Sequence, residues 1–174
     1  SILPSRLLSI PHRGAINLHA SLLPQYRGAA PIHWAVIDGQ TQTGLTVFSL
    51  KPKVDTGDIL KQIAVSIAPD ETTGDLYDRM KLIGAEAVLD TVDEIESSTS
   101  NPIQQDNTLA TKAPKLNKKD AEIVWDAPSQ AIKNLVRGTN PHPGAYTHWN
   151  GEVLRVHRVE AVESSDSISP PGVV

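Results

Sequence analysis

The chain has 174 residues and a formal net charge of −4, and 39% of its residues are hydrophobic but only 4% aromatic. That length allows one domain or one and a fraction, with a core that aliphatic side chains must fill. The absence of cysteine excludes disulfides and thiolate metal sites, and no apolar run approaches the roughly 20 residues that a membrane-spanning helix needs.

The first 96 residues show the patterns of alternating helices and strands. In chain order we expect a helix, a strand, a helix and two strands, at 4–10, 15–20, 31–37, 45–50 and 59–67. Apolar residues then recur at three- and four-residue spacing from Thr73 to about Glu96, which predicts a long amphipathic helix. Thr72 is its expected N-cap, because Asp75 stands at the acidic position of a capping box.

A turn-rich stretch marks the predicted domain boundary. We expect a first domain, a polar linker and a second domain, at 1–96, 97–112 and 113–174. Charge also divides the chain, since residues 1–111 carry 8 basic and 13 acidic side chains while residues 112–158 carry 8 basic and 4 acidic ones. A basic second part is compatible with contacts to nucleic-acid phosphates. A solvated surface with interspersed charges explains the same numbers equally well.

The second domain is predicted to contain a helix and a β-hairpin. The helix is expected over 129–137, ended by Gly138. Strands at 145–149 and 153–159 are expected to pair across Asn150-Gly151, which is the strongest short signal for a hairpin turn. Residues 170–174 are expected to enter a further strand.

The most informative residues lie at the end of the strand predicted over 15–20. Asn17 and His19 are two residues apart, so a strand projects both side chains from one face. Strand ends are the usual place for ligands in an open α/β sheet. Asp55 lies in a polar loop between the next two apolar runs, from which it could orient the histidine. Taken singly, a structural histidine and a turn-forming aspartate are the more ordinary explanations.

These residues belong to a longer motif. It reads Asn17-x-His19-x-Ser21-Leu22-Leu23-Pro24, continues as Arg-Gly-Ala-Ala-Pro-Ile over 27–32, and includes Asp55 in an Asp-Thr-Gly loop. The motif resembles that of the folate-dependent formyltransferases, and the 27–32 continuation favours the methionyl-tRNA formyltransferases among them. Segments further along the chain agree with this resemblance, at 73–78, 121–125 and 140–147.

The resemblance implies an α/β fold, with the second half of a Rossmann-like formyltransferase domain followed by the start of an OB-like β-barrel domain. The chain is then expected to be an internal part of a longer protein, without the family's N-terminal half and C-terminal end. The implied formyl donor is 10-formyltetrahydrofolate and the implied acceptor is methionyl-initiator tRNA, with no metal and no membrane involved. We expect a monomer when full length, in the cytoplasm of a bacterium or in the mitochondria or plastids of a eukaryote.

The resemblance also implies roles for the motif residues. Asn17 is expected to donate to the oxyanion that forms during formyl transfer, and His19 either to donate to that oxyanion or to relay a proton. Asp55 is expected to hold the imidazole and assist proton movement. The folate-binding residues are expected to be Ser21, Leu22, Leu23 and Pro24, where backbone groups and apolar side chains meet the flat pterin. The other histidines have no motif around them and are expected to be structural or surface residues: His12, His33, His142, His148 and His157.

Three other functions remain open from the sequence. The formyl acceptor could be the amine of a sugar nucleotide or could be water, since enzymes of both kinds share the core motif; the 27–32 continuation and the later segments argue against them. A chain of another class would be a non-catalytic module that binds RNA through the basic 112–158 segment.

Overall fold

The computed structural model describes residues 4–160, in which the predicted helices and strands occur in the predicted order, together with two unpredicted two-residue strands at Arg27–Gly28 and Lys112–Ala113. The α-helices are α1, α2, α3 and α4, at Ser5–Leu8, Pro31–Ile37, Thr73–Glu96 and Ser129–Thr139, and two short 3-10 helices lie at Asn107–Leu109 and Lys118–Ala121. The strands are β1 to β7, at Ile16–His19, Arg27–Gly28, Gln42–Ser49, Ile59–Ser66, Lys112–Ala113, Ala145–Trp149 and Glu152–Val156. The expected strand at 170–174 lies outside the described residues.

The main sheet has three strands in the order β1-β3-β4, and both of its pairings are antiparallel. A Rossmann-like domain is built mainly on parallel strands, so this part of the sheet differs from the expectation. The physical reason is clear for β3 and β4, because residues 50–58 between them are too few for a parallel crossover of about a dozen residues or more. The mixed helix and strand content agrees with the predicted α/β class.

Helices α2 and α3 pack on this sheet, and the hydrophobic core lies between them and the strands. The buried cluster comprises Ile32, Ala35, Val36, Leu45, Val65, Ile67, Leu76 and Met80. The predicted capping box starts α3, because the Asp75 N–H donates to Thr72 Oγ1 at 3.2 Å and the Thr72 N–H donates to Asp75 Oδ2 at 3.1 Å. The N-cap prediction is therefore confirmed.

Residues 97–112, predicted to be a linker, are anchored to the first part of the chain. Ile103 and Ile59 exchange backbone hydrogen bonds of 2.7 and 2.8 Å. Gln105 is buried, and β5 pairs in parallel with β2. Only isolated residues of the segment are buried, so its sequence has no apolar pattern that would reveal the contact.

In the second part, α4 packs against α2 and continues through Gly138 rather than ending there. A Cβ at Gly138 would lie 2.5 Å from Ile37 Cγ1, so this glycine allows close packing of the two helices. The helix ends instead at Thr139, before Asn140 adopts the extended backbone that a following proline favours.

The predicted hairpin joins β6 to β7, and both turn residues have positive φ, 50° at Asn150 and 82° at Gly151. Its second strand ends at Val156, three residues earlier than expected. Glu122 makes an isolated bridge to Tyr146 beside the hairpin. Within residues 4–160 these strands do not close into a barrel, so the OB-like prediction is not confirmed.

Candidate active site

The end of β1 places His19 in the interior, where 6% of the residue is exposed. Its Nε2 lies 2.8 Å from the carbonyl oxygen of Tyr26. Because a carbonyl only accepts, Nε2 carries the proton of this hydrogen bond. The imidazole ring also meets the ring of Phe48 edge to face, with centroids 6.5 Å apart. The imidazole is therefore held on two sides by the fold itself.

Asp55 lies on the other side of this imidazole. Its Oδ2 is 3.7 Å from His19 Nδ1 and accepts the N–H of Gly28 at 2.9 Å. Side-chain exposure is 7% for the histidine and 11% for the aspartate. The structure thus brings together two of the residues expected to be catalytic, and a proton on Nδ1 would make their contact an ion pair.

The loop that carries Asp55 is tightly constrained. Asp55 has φ of 51°, a left-handed conformation that is uncommon outside glycine. Gly57 lies so close to β3 that a Cβ would be 1.5 Å from the carbonyl oxygen of Ser49. Gln105 donates from Nε2 to the carbonyl oxygens of Asp55 at 3.0 Å and Gly57 at 2.7 Å.

Asn17 belongs to the same strand but has a different environment. It is exposed, and β1 is an outer strand of the described sheet, where Asn17 pairs with Phe48 and His19 with Thr46. The alternation of a strand gives the two side chains one direction. The amide is accordingly accessible to a ligand, whereas the imidazole is enclosed.

The residues from Ser21 to Pro24 alternate between buried and half-buried. Ser21 is fully buried and donates to the carbonyl oxygen of Gln25 at 2.6 Å, and Leu23 is 3% exposed. Leu22 and Pro24 are half-buried. Ser21 and Leu23 therefore shape the loop, while Leu22, whose side chain lies over Gly44 of β3, and Pro24 keep part of their apolar surface accessible.

Two residues that the sequence did not single out hold this loop on the sheet. Thr46 Oγ1 accepts the N–H of Leu23 at 3.1 Å and donates to the carbonyl oxygen of Ser21 at 2.7 Å. Gln62 Nε2 donates to the carbonyl oxygen of Leu23 at 2.8 Å. Both lie in strands predicted from apolar composition, so their polar side chains carried no separate signal.

Comparison with known proteins identifies the family. A family model described as formyl transferase matches residues 1–92, which is more than half of the chain. The chain belongs to the formyl transferase family. A second model, described as the formyl transferase C-terminal domain, matches residues 115–174. The predicted family resemblance is thus confirmed.

Curated relatives of this formyl transferase chain include two proteins named methionyl-tRNA formyltransferase. The one from Geobacter metallireducens is 49% identical over 158 residues, covering 91% of this chain and 51% of the relative. The one from Geotalea daltonii is 45% identical over 173 residues, covering 99% of this chain and 54% of the relative. The chain therefore spans about half the length of the curated relatives it matches.

Solved structures share the formyl transferase fold. A sugar N-formyltransferase from Shewanella sp. has a TM-score of 0.74 at 20% identity and covers 94% of this chain and 68% of its own. An N-formyltransferase from Helicobacter canadensis, in complex with folinic acid and dTDP-3-aminofucose, has a TM-score of 0.72 at 21% identity and covers 82% of this chain and 53% of its own. Such identities show a common fold and leave the acceptor open.

Two histidines of this formyl transferase chain have partners outside the motif. His33 Nε2 donates to the carbonyl oxygen of His142 at 3.1 Å, and burial lowers the pKa of His33 although this hydrogen bond opposes the shift. His148 Nδ1 lies 3.6 Å from Glu122 Oε1.

Among residues 4–160, no helix has both the length and the apolar character required to cross a membrane.

Proposed function

We propose that the complete protein carrying this chain transfers the formyl group of 10-formyltetrahydrofolate to the amino group of methionyl-initiator tRNA. The observation that carries the proposal is the His19–Asp55 contact of 3.7 Å beside the exposed Asn17. Its substrates are inferred from relatives that are 39–49% identical over most of this chain and are named for that reaction.

The reaction sets two chemical demands on the site. The amine nitrogen attacks the formyl carbon, the carbon–N10 bond breaks, and a proton passes from the amine to N10 to leave tetrahydrofolate. The carbonyl oxygen becomes negative in the tetrahedral intermediate while the attacking nitrogen becomes positive. The site therefore needs a hydrogen-bond donor at the oxyanion and a route for the amine proton.

The motif residues suit these demands in different ways. The accessible Asn17 amide is proposed to donate an N–H to the oxyanion. His19 is proposed to relay the proton, with Asp55 stabilising the charged imidazole. The Nε2 proton is engaged by the carbonyl oxygen of Tyr26, so a donor role at the substrate requires that this hydrogen bond be exchanged.

Folate is proposed to bind at the segment from Ser21 to Pro24. The half-buried Leu22 and Pro24 are available for contact with a flat apolar ring, which is how such ligands are usually held. Ser21 and Leu23 are engaged within the protein and would act by shaping the loop.

The tRNA is proposed to contact the basic 112–158 segment through its phosphates, with β6 and β7 opening an OB-like β-barrel. We further propose domains at 1–96 and 113–174, with 97–112 between them. We also propose that the complete protein is a monomer that needs no metal, and that it acts in the cytoplasm if it is bacterial or in mitochondria or plastids if it is eukaryotic.

The decisive experiment offers the complete protein two acceptors. Methionyl-initiator tRNA and a dTDP-linked amino sugar are each incubated with 10-formyltetrahydrofolate, and formylated products are measured by mass spectrometry. We expect N-formylmethionyl-tRNA and no formylated sugar. Formylation of the sugar alone would overturn the choice of acceptor, and tRNA binding without turnover on either acceptor would favour the non-catalytic alternative.

A further inference from the structure

Gln105 uses all the hydrogen-bonding capacity of its side chain in the interior. The residue is 5% exposed. Its Nε2 donates to the carbonyl oxygens of Asp55 and Gly57, at 3.0 and 2.7 Å. Its Oε1 accepts from Nε and Nη2 of Arg27, at 3.1 and 2.5 Å. Two donors and two accepting positions are thereby satisfied.

These contacts link Gln105 to Asp55 in two ways, through the backbone of the Asp55 loop and through Arg27. The two carbonyls flank Thr56, so the amide fixes the backbone of the loop in which Asp55 has its left-handed conformation. Such a conformation persists only when surrounding contacts enforce it. Arg27 precedes Gly28, whose N–H donates to Asp55 Oδ2 at 2.9 Å. Gln105 therefore connects the backbone of the loop with the strand that holds the carboxylate.

We propose that Gln105 is a positioning residue, which keeps Asp55 against His19 by donating to the two loop carbonyls. This inference rests on the proposed formyl transfer, and Gln105 is not proposed to touch either substrate. Displacement of a reacting group by about 1 Å can cost on the order of 100-fold in rate. Release of the loop should therefore reduce turnover more than substrate binding.

The 97–112 segment is also held to the rest of the chain by contacts that do not involve the Gln105 side chain. The Ile103–Ile59 backbone hydrogen bonds and the β2–β5 pairing hold the segment on both sides of Gln105. Loss of the amide donors should therefore loosen the Asp55 loop while the segment stays in place.

The chain offers an isosteric test with a matched control. In Gln105→Glu the carboxylate still accepts from Arg27 but cannot donate to the loop carbonyls, and Gln105→Met removes both kinds of contact. In the complete protein we expect both variants to lower kcat by about 10- to 100-fold, with KM for the folate within about threefold. Gln104→Glu, at the exposed neighbour, should match the wild type. Full activity of Gln105→Glu would overturn the proposal.

Two further measurements distinguish positioning from a general structural role. On an Asp55→Asn background, Gln105→Glu should lower kcat by less than about threefold more, because both changes act on one contact; fully additive losses would contradict the inference. Amide hydrogen exchange of Gly28 should become at least about tenfold faster in Gln105→Glu, while that of Ile103 stays unchanged.

Unchanged exchange at Gly28, or equal acceleration at Ile103, would also overturn the inference. If the wild-type protein transfers no formyl group to any acceptor, the proposed function fails. The exchange rates of Gly28 and Ile103 then decide alone whether Gln105 holds the loop.

Discussion

At the scale of single residues, the polar side chains of the site differ in whether protein groups already occupy their hydrogen-bonding atoms. His19 has Tyr26 at one nitrogen and Asp55 at the other, while Asn17 is exposed two residues earlier. Both imidazole nitrogens face protein groups, so proton transfer through His19 requires exchange of the Tyr26 hydrogen bond, whereas the accessible Asn17 amide suits direct contact with substrate. Changes at these positions should consequently affect turnover and binding differently.

Replacement of His19 by alanine tests this distinction. We expect kcat of the complete protein to fall by on the order of 100- to 1000-fold, as when a group acting on the developing charge is lost. Affinity for the folate should stay within a few-fold, as measured by titration of the folate in the absence of acceptor. His12→Ala, at an exposed histidine without a motif, is the control. Equal losses in folate affinity and rate would instead make His19 a binding residue.

His33 provides a prediction about pH. Burial lowers its pKa in the folded protein, so the unfolded chain takes up a proton first as the pH falls. The free energy of unfolding should therefore decrease as the pH falls from about 6.5, the ordinary histidine value, to the lower folded-state pKa. His33→Gln keeps a donor for the carbonyl of His142 and should reduce this dependence.

The measurement is the urea midpoint at about pH 7.5, where His33 is neutral in both states, and at about pH 5.5, where the histidine of the unfolded chain is mostly protonated. His12→Gln serves as the matched substitution at an exposed histidine. An identical drop in the wild type and in His33→Gln would show that His33 does not contribute.

At the scale of helices and strands, helix ends and places where two backbones lie close together determine which substitutions are tolerated. The reciprocal bonds of Thr72 and Asp75 satisfy donors at the start of α3 that the helix leaves unpaired. Strand β2 instead depends on a glycine, because Gly28 lies against the carbonyl of Ala113 in β5. Both features are local, and each can be tested with one substitution.

Thr72→Ala should lower the free energy of unfolding by about 1 kcal/mol, the usual cost of losing an N-cap side chain. The comparison is Thr41→Ala, at an exposed threonine outside helices and strands, which should change stability little. Urea denaturation of both variants measures the difference. Equal effects would mean that the capping bonds contribute nothing beyond a generic threonine side chain.

Gly28→Ala should destabilise the protein and impair turnover together. The residue has φ of 134°, and a Cβ would lie 2.3 Å from the carbonyl oxygen of Ala113, so β2 must move away from β5. That movement also displaces the N–H that Asp55 accepts. Gly14→Ala shares a positive φ of 80° but meets no atom within 4 Å, so it isolates backbone strain from the clash. Thermal unfolding and kcat should be affected more at Gly28.

At the scale of the whole molecule, the two parts of the chain are packed on each other rather than only joined. Helix α4 lies against α2 through Gly138 and Ile37. Arg137, 9% exposed, donates to the carbonyl oxygens of Ala68, Glu71 and Val36 at 3.3 to 3.4 Å. Burial lowers the pKa of this guanidinium, although Asp70 and Glu71 oppose the shift. We therefore expect the two parts to unfold together.

Gly138→Leu should weaken this packing. Its Cβ alone would lie 2.5 Å from Ile37 Cγ1 and 3.0 Å from Ile37 N, and overpacking of this kind costs about 1–3 kcal/mol. Calorimetry should show a lower transition temperature and separation into two transitions. Ala131→Leu, at an exposed position of the same helix, should preserve the single transition. An unchanged transition in Gly138→Leu would show that the helices can separate without cost.

The predictions from sequence were most accurate where a signal and its consequence lie within one turn of the chain. Helices α2 and α3 have the predicted bounds, since a proline near the start of one and a capping box at the start of the other act locally. The hairpin formed at Asn150-Gly151 for the same reason. The prediction that Gly138 ends α4 was wrong because this glycine serves close packing against Ile37 of another helix, 101 positions away in the chain.

By itself, the sequence determined the order of the helices and of the longer strands, the family motif and the residues that meet at the end of β1, but not the short strands β2 and β5. Tertiary structure alone decided the antiparallel pairing of β1 with β3 and the contacts that hold Asp55, whose carboxylate and carbonyl are bound by groups 27 and 50 residues away. A single buried glutamine in a polar segment, or a glycine that allows close approach, leaves no periodic pattern. Such contacts exist only when distant segments pack together, and the folded chain is what brings Gln105 and Gly28 to the loop.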